Sequence, residues 1–180
     1  KTNQDAHQLP VRRRALRDGK TVYVAVPRLR EEACVLELDP ATIDDVDAAT
    51  TVSGIGEYGR AVGPGDVDPV DLIVSGSVAV NEAGARIGKG EGYSDLEFAV
   101  LREFGLVDGD TTTATTVHER QVVDGPVETA GHDVPMDVVV TPERAVSTGA
   151  ADRRPTGIDW DRLDPERIAE MPVLERVRTS

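Results

Sequence analysis

The most apolar stretch of the chain runs from Asp71 to Val80 and leads directly into a glycine-dense loop, Gly84 to Tyr93. Its many β-branched residues predict a central buried strand. After the loop, apolar residues recur at helical spacing up to about Phe104, and Ser94 or Asp95 is the expected N-cap. A buried strand, a glycine loop and a helix in this order predict an α/β fold.

Other segments continue this alternation of strands and helices. Strands are predicted at 21–26, 34–38, 111–117, 137–140 and 144–147, and helices at 12–17, 42–49 and 165–170. The segment 51–69, rich in Gly, Pro and Asp, is predicted to be a long loop, and Pro172 is expected to end the last helix. These patterns predict an α/β sandwich with a mainly parallel sheet. We expect one domain over 1–150 and a tail over 151–180 whose short helix packs on it.

The charge of the chain limits its partners. It has 33 acidic and 20 basic residues, a formal charge of −13, whereas a compact domain usually carries about 2–8 charges of either sign. Only Lys1, Lys20 and Lys89 are lysines. This composition favours adaptation to high salt, which screens self-repulsion; an ordinary acidic cytosolic protein is the alternative. The charge disfavours nonspecific binding to nucleic acid. We expect no membrane span, because no apolar run approaches the roughly 18 residues that one requires.

The best chemical signal lies in the loop Gly84-Ala-Arg-Ile-Gly-Lys-Gly-Glu-Gly-Tyr-Ser-Asp95. Glycines permit positive φ angles and let a ligand approach the backbone amides closely. Successive free amides followed by a helix N-terminus form a site for anions. Arg86 and Lys89 add two cations of the kind that bind a triphosphate. The loop therefore predicts phosphate binding, with a surface connection of no chemical role as the alternative.

Two aspartates are candidate magnesium ligands. Asp95 follows the loop, and Asp137 begins a predicted strand in His132-Asp-Val-Pro-Met-Asp137. Magnesium prefers one or two carboxylates together with phosphate oxygens and water, so a shared crevice at the strand ends could bring the two together. Capping of the helix is the simpler alternative for Asp95. The single cysteine, Cys34, and the spacing of the three histidines argue against a zinc site.

Several segments of the chain resemble a known family. The segments Val70–Asn81 and Gly84–Asp95 resemble the signature of the 5-formyltetrahydrofolate cyclo-ligase family, also called methenyltetrahydrofolate synthetase. The segments Gly19–Arg28 and His132–Thr141 resemble two of its strand regions, so that the resemblance covers about 3–147. The sequences at 87–97 and 117–124 are more similar to the methenyltetrahydrofolate synthetase domain-containing proteins than to the housekeeping enzyme.

The resemblance implies a fold, a reaction and a set of site residues. The fold is a Rossmann-like three-layer α/β/α sandwich, and the enzyme converts ATP and the reduced folate 5-formyltetrahydrofolate to 5,10-methenyltetrahydrofolate, ADP and phosphate, with Mg²⁺, in the cytoplasm. Arg86 and Lys89 would be catalytic. The residues carried over to the nucleotide are Arg86, Ile87, Gly88, Lys89, Gly90, Glu91, Gly92 and Tyr93. Those carried over to the folate are Asp5, Glu57 and Tyr93, and those carried over to magnesium are Asp95 and Asp137.

Departures from the family pattern keep other functions open. The family's Pro-Gly is Ser75-Gly76 here, its Phe-Asp is Val80-Asn81, its second tyrosine is Ser94, and Leu96 replaces an arginine. A divergent or non-catalytic member that binds nucleotide or folate is therefore the main alternative, and a small kinase-like enzyme is a third. Because the chain begins with Lys1, we expect a fragment or processed product without the family's amino-terminal helix.

Overall fold

The computed structural model describes residues 1–179. Its helices are α1 (Leu9–Arg17), α2 (Val46–Ala49), α3 (Val52–Tyr58), α4 (Tyr93–Glu103), α5 (Pro165–Ala169) and α6 (Pro172–Thr179). Its strands are β1 (Val22–Ala25), β2 (Val35–Leu38), β3 (Arg60–Val62), β4 (Leu72–Ser75), β5 (Ala79–Val80), β6 (Arg86–Ile87), β7 (Thr112–Thr116), β8 (Val138–Val140) and β9 (Ala145–Ser147). No helix within this described part combines the length and apolarity that crossing a bilayer requires.

The chain forms two compact units. One contains 1–68 together with the residues from Pro165 onward, and the other contains 69–164. The chain therefore leaves the first unit after Asp68 and returns to it at Pro165. The boundary expected at residue 150 stays a prediction.

The first unit is built on an antiparallel sheet in the order β1-β2-β3. Val24 lies opposite Leu36, which in turn lies opposite Ala61. The apolar core of this unit includes Leu16, Val22, Val24, Leu38, Ile43, Ala49 and Ile55. The expectation of a mainly parallel sheet is wrong for these strands. Only nine residues separate β1 from β2, too few for the crossover that parallel strands need.

A buried arginine joins three parts of the first unit. The Arg12 side chain is fully buried, although its position in Arg12-Arg13-Arg14 suggests a solvated helix face. Its guanidinium donates to the carbonyl oxygens of Thr50, at 3.0 and 3.1 Å, of Asn3, at 2.7 Å, and of Asp5, at 3.1 Å. Burial lowers the pKa of Arg12, and the nearby charge of Asp5 opposes this shift. Arg12 thus ties the amino-terminal segment and the end of α2 to α1.

The second unit has the mainly parallel sheet that the sequence predicts, in the order β4-β7-β8-β9. β4 pairs with β7, and β7 with β8, in parallel, whereas β9 is an antiparallel edge strand. The connection from β4 to β7 contains the β5–β6 hairpin and α4, as a parallel pair requires. Phe98 and its neighbours on α4 are buried. The molecule is therefore a mixed α/β protein with a mainly parallel central sheet.

The predicted strand over Asp71 to Val80 is interrupted. β4 ends at Ser75, the chain leaves the sheet, and β5 begins at Ala79 as one strand of a separate hairpin. Val78 is consequently 53% exposed, despite the apolarity of its segment. Gly76 and Ser77 lie at the break, so that the apolar pattern continues across a change of sheet.

The prediction of a long loop over 51–69 is also wrong, because this segment contains α3 and β3. The Thr51 side chain caps α3 by accepting a hydrogen bond from Gly54 N at 2.9 Å. Gly54 allows close packing, since a Cβ at this position would collide with the carbonyl of Ala48 in α2. Glycine here serves helix packing rather than a turn.

The helix predicted over 165–170 is present as α5, which ends at Ala169. Pro172, expected only to end that helix, begins α6, a position that proline tolerates because it needs no amide donor.

We expect Arg12→Met to lower the free energy of unfolding by about 2–4 kcal/mol, because buried carbonyls would lose their donors. Urea denaturation followed by circular dichroism measures this change. Arg14→Met is the matched control, since Arg14 is exposed on the same helix and pairs with Asp18 in the next turn. Equal stability of the two variants would contradict a joining role for Arg12.

Candidate functional site

The glycine loop is held at its start by a hydrogen-bonded turn. Asn81 is buried, and its Oδ1 accepts from Ala83 N at 3.1 Å and Ala85 N at 2.9 Å. Its Nδ2 donates to the carbonyl oxygen of Gly125 at 3.0 Å. The side chain therefore uses both halves of its amide. An aspartate, which the family pattern has here, could accept but could not donate to Gly125.

Gly84 lets this turn pack closely against the chain that follows β7. Its φ of 83° lies in the left-handed region. A Cβ at this position would collide with the carbonyl oxygen of Met136 and lie 2.9 Å from Thr148 Oγ1 and 3.1 Å from Ala150 Cβ. The backbone bond from Met136 N to Gly84 O, at 2.9 Å, fixes the same contact. The start of the loop is thus fixed by packing as well as by hydrogen bonds.

A buried ion pair connects the hairpin to α4. Arg86 Nη2 donates to Asp95 Oδ1 at 2.6 Å, and the two side chains are 5% and 13% exposed. Arg86 Nη1 also donates to the carbonyl oxygen of Gly76, at 3.3 Å, and Asp95 Oδ1 accepts from Val134 N at 2.9 Å. Arg86 Nε is buried and has no hydrogen-bond partner within the described structure. The cation therefore has a fixed position, and one of its donors is not used within the described structure.

The loop between Arg86 and α4 has the backbone that an anion site needs. Gly90 and Gly92 have φ angles of 91° and 67°, which glycine adopts without strain. Lys89 is exposed, while Tyr93 is half-buried. The prediction that Ser94 or Asp95 caps the helix is wrong, because Gly92 is the N-cap and the Asp95 side chain is bonded to Arg86. The N-terminus of α4 therefore follows the glycines directly and adds partial positive charge there.

Asp137 belongs to a second buried ion pair. Its Oδ2 accepts from Arg154 Nη2 at 2.6 Å, and also from Thr113 N at 2.7 Å and Thr113 Oγ1 at 3.0 Å. The Arg154 and Asp137 side chains are 7% and 16% exposed. Asp137 Oδ1 is buried and has no hydrogen-bond partner in the described structure. Asp137 is thus bonded to Thr113 near the start of β7, whereas Arg86 is bonded to Gly76, which directly follows the end of β4.

The two candidate magnesium ligands thus have separate arginine partners, Arg86 for Asp95 and Arg154 for Asp137. Within residues 1–179, no group of three or more His, Cys, Asp and Glu side chains is arranged to hold a metal ion. A carboxylate oxygen such as Asp137 Oδ1 nevertheless has the donor chemistry that magnesium prefers. A metal ion would share each carboxylate with an arginine, and both assignments stay predictions.

Two of the three predicted folate residues, Asp5 and Glu57, lie in the first unit, whereas Tyr93 lies in the second. Asp5 precedes α1 and is partly exposed, with its carbonyl oxygen bonded to Arg12. Glu57 is exposed near the end of α3. Nothing in the position of either residue tests a role in folate binding, so both assignments stay predictions.

Two contributors to the second unit were missed by sequence reasoning. Arg154, in Arg153-Arg154-Pro155, carries no pattern that announces a partner 17 residues away, and no signal could have found it. Gln121 donates to the carbonyl oxygens of Ser77 and Val78, at 3.1 and 3.0 Å, and so holds the segment after β7 against the hairpin. Its place in a capping box with His118, three residues earlier, is a signal that could have been read.

The loop, its ion pair and the parallel sheet agree with one family. The chain belongs to the 5-formyltetrahydrofolate cyclo-ligase family, whose model matches residues 1–142. The resemblance drawn from the loop and strand motifs is thereby confirmed.

The curated relatives are named methenyltetrahydrofolate synthase domain-containing protein. The protein of Mus musculus is 41% identical over 99% of this chain, and that of Danio rerio is 38% identical over the same share. The alignments cover 49% and 48% of those relatives. This chain therefore spans about half the length of the proteins that it matches.

We expect Asn81→Asp to lower the free energy of unfolding by about 1–3 kcal/mol, because a carboxylate would place an acceptor against the carbonyl of Gly125. Thermal or urea unfolding measures the loss. Glu82→Gln is the matched control, because it changes an exposed neighbour in the same turn whose surface ion pair with Arg144 contributes little to stability. A fully stable Asn81→Asp variant would show that the amide donor contributes nothing to the turn.

Proposed function

We propose that this chain is an ATP- and Mg²⁺-dependent 5-formyltetrahydrofolate cyclo-ligase that produces 5,10-methenyltetrahydrofolate. Membership of the family supports the substrate class, a reduced folate. The observation that carries the proposal is the glycine loop at the N-terminus of α4, with the buried Arg86 cation beside it. A three-layer Rossmann-like arrangement of the fold, a cytoplasmic location and adaptation to high salt are parts of the same proposal.

The chemistry asks for charge neutralisation more than for a protein nucleophile. The formyl oxygen of the folate attacks the γ-phosphorus of ATP, ADP leaves, and N10 then attacks the activated carbon. The resulting intermediate loses phosphate and the N10 proton to give the methenyl product. At the first step, the negative charge on the transferring phosphoryl oxygens and on the departing ADP must be neutralised, and fixed cations and amide donors do this.

Arg86 and Lys89 are the proposed catalytic cations. Arg86 is held by Asp95 and by the carbonyl of Gly76, so its charge is already fixed in position when a phosphate binds beside it. The backbone of 86–93 would bind the phosphate oxygens, and Tyr93 would also contact the folate. Asp5 and Glu57 are proposed folate residues on the strength of the resemblance alone.

Asp95 and Asp137 are the proposed carboxylates for magnesium. When bound, magnesium supplies positive charge to the phosphate oxygens. The buried and unpartnered Asp137 Oδ1 supports this assignment. The arginine beside each carboxylate opposes it, because a second cation there must tolerate the first.

The alternative is a divergent or non-catalytic member that binds nucleotide or folate. The specific observation in its favour is Asn81, which replaces the acid of the family pattern and is occupied by three hydrogen bonds within the fold. The names of the relatives also describe a domain rather than an activity. Under this alternative the loop binds phosphate without turnover.

The activity assay separates the two functions. We expect the purified protein, given 5-formyltetrahydrofolate, ATP and Mg²⁺ in high salt, to produce the absorbance of the methenyl product. Omission of ATP is the matched control and should abolish the signal. Binding of ATP without product, measured by calorimetry on the same sample, would reject the cyclo-ligase and favour the alternative.

We expect Lys89→Ala to weaken ATP binding about tenfold, as the loss of one charge-assisted contact of about 1.4 kcal/mol would do. Isothermal titration measures the affinity, and circular dichroism checks the fold. Lys20→Ala removes another exposed lysine from the first unit and should leave the affinity unchanged. Unchanged ATP affinity in Lys89→Ala would remove this residue from the phosphate site.

A further inference from the structure

We propose that residues 148–158 form a positioning strap that holds the glycine loop in its binding conformation, with Arg154 as the central positioning residue. The strap lies in the second unit, after β9, and includes residues for which neither the loop motif nor the family match gives a role. It contacts the elements on both sides of the glycine loop. Its role in ligand binding rests on the proposed function, whereas its role in fixing the loop does not.

The first contact is with the turn that precedes the loop. Thr148 and Ala150 line the close approach to Gly84, and Ala150 is fully buried. Arg153 Nη2 donates to the carbonyl oxygen of Ala83. Any displacement of the strap therefore opens a gap directly beneath the start of the loop.

The second contact fastens the strap to the sheet. Arg154 Nη2 bonds Asp137 Oδ2 at 2.6 Å, and Arg154 Nη1 donates to the carbonyl oxygen of Asp108 at 3.2 Å. Thr148 adds two bonds, from its Oγ1 to Met136 O at 2.6 Å and from its N to Asp137 O at 2.9 Å. The strap is thus bonded both to the start of β8 and to the turn before β7.

The Arg154 pair lies where solvent screening is weak, since both side chains are largely buried. Removing one partner of such a pair leaves an uncompensated buried charge. Arginine suits this position because its planar group reaches a carboxylate and a carbonyl at once, which a lysine ammonium does less well. Loss of the Arg154–Asp137 ion pair should therefore destabilise the strap strongly.

The third contact is with the far end of α4. Ile158 N donates to Glu103 Oε1 at 3.0 Å, and Glu103 is the last residue of the helix. Gly157 lies so close to this carboxylate that a Cβ there would collide with it. The strap therefore contacts the turn before the loop and the helix after it, so both flanks of the loop are held by the same segment.

Hydrogen exchange tests the strap without any ligand. Arg154→Lys keeps the charge but loses the fork, and we expect exchange in peptides covering 84–95 to become about tenfold faster. Peptides covering β1 and β2 should be unchanged, because they belong to the first unit. Arg162→Ala, an exposed arginine beyond the strap, is the matched control and should leave the loop unaffected.

Two milder variants keep the test valid if Arg154→Lys fails to fold. Arg153→Ala removes the contact with Ala83, and Glu103→Ala removes the acceptor for Ile158, while Glu103→Gln keeps an acceptor and should restore slow exchange. Faster exchange of the loop in Arg153→Ala and Glu103→Ala, with rescue by Glu103→Gln, would support the strap. Unchanged loop exchange in both folded variants would overturn it.

Titration of Mg–ATP into the same variants tests the consequence for binding. We expect the affinity to fall in Arg154→Lys and in Glu103→Ala, and to recover in Glu103→Gln. If the unaltered protein binds no ATP, the proposed function fails, and the exchange data still decide on the strap. Faster loop exchange with unchanged ATP affinity would overturn the positioning role in binding.

Discussion

The candidate site depends on the ion pair between Arg86 and Asp95. A guanidinium in a largely buried position needs a counter-charge, and Asp95 supplies it from the first turn of α4. The pair therefore fixes the distance between the hairpin and the helix that the glycine loop must bridge. It also orients Arg86 with one donor left unused. This interaction thus contributes to both the geometry and the electrostatics of the loop.

Arginine performs the same structural task elsewhere in the chain. Arg12 collects carbonyl oxygens in the first unit, and Arg154 joins a carboxylate to a carbonyl in the second. Each uses several donors of one planar group, in a fork geometry that a lysine ammonium does not have. The scarcity of lysine thus fits an interior in which cations bind backbone oxygens, as well as the proposed adaptation to salt.

The local sequence patterns predicted more of the secondary structure than of the contacts between distant residues. The β-branched runs gave the parallel strands of the second unit, and the spacing of glycines with Arg86 and Lys89 gave the loop before α4. The antiparallel sheet of the first unit and the pair of Arg154 with Asp137 depend on partners distant in sequence. The loop prediction over 51–69 was wrong partly because glycine occurs in tightly packed helices, as at Gly54, as well as in turns. The family match adds a substrate class, a reduced folate, which hydrophobic periodicity cannot indicate.

The return of the chain to its first unit has a consequence for synthesis on the ribosome. α6 buries Val173 and Leu174, and it belongs to the same unit as α1. The second unit is continuous in sequence, whereas the first receives its last helix only after that whole unit has been translated. A nascent chain can therefore complete the second unit, which contains the glycine loop, before the first unit acquires α6.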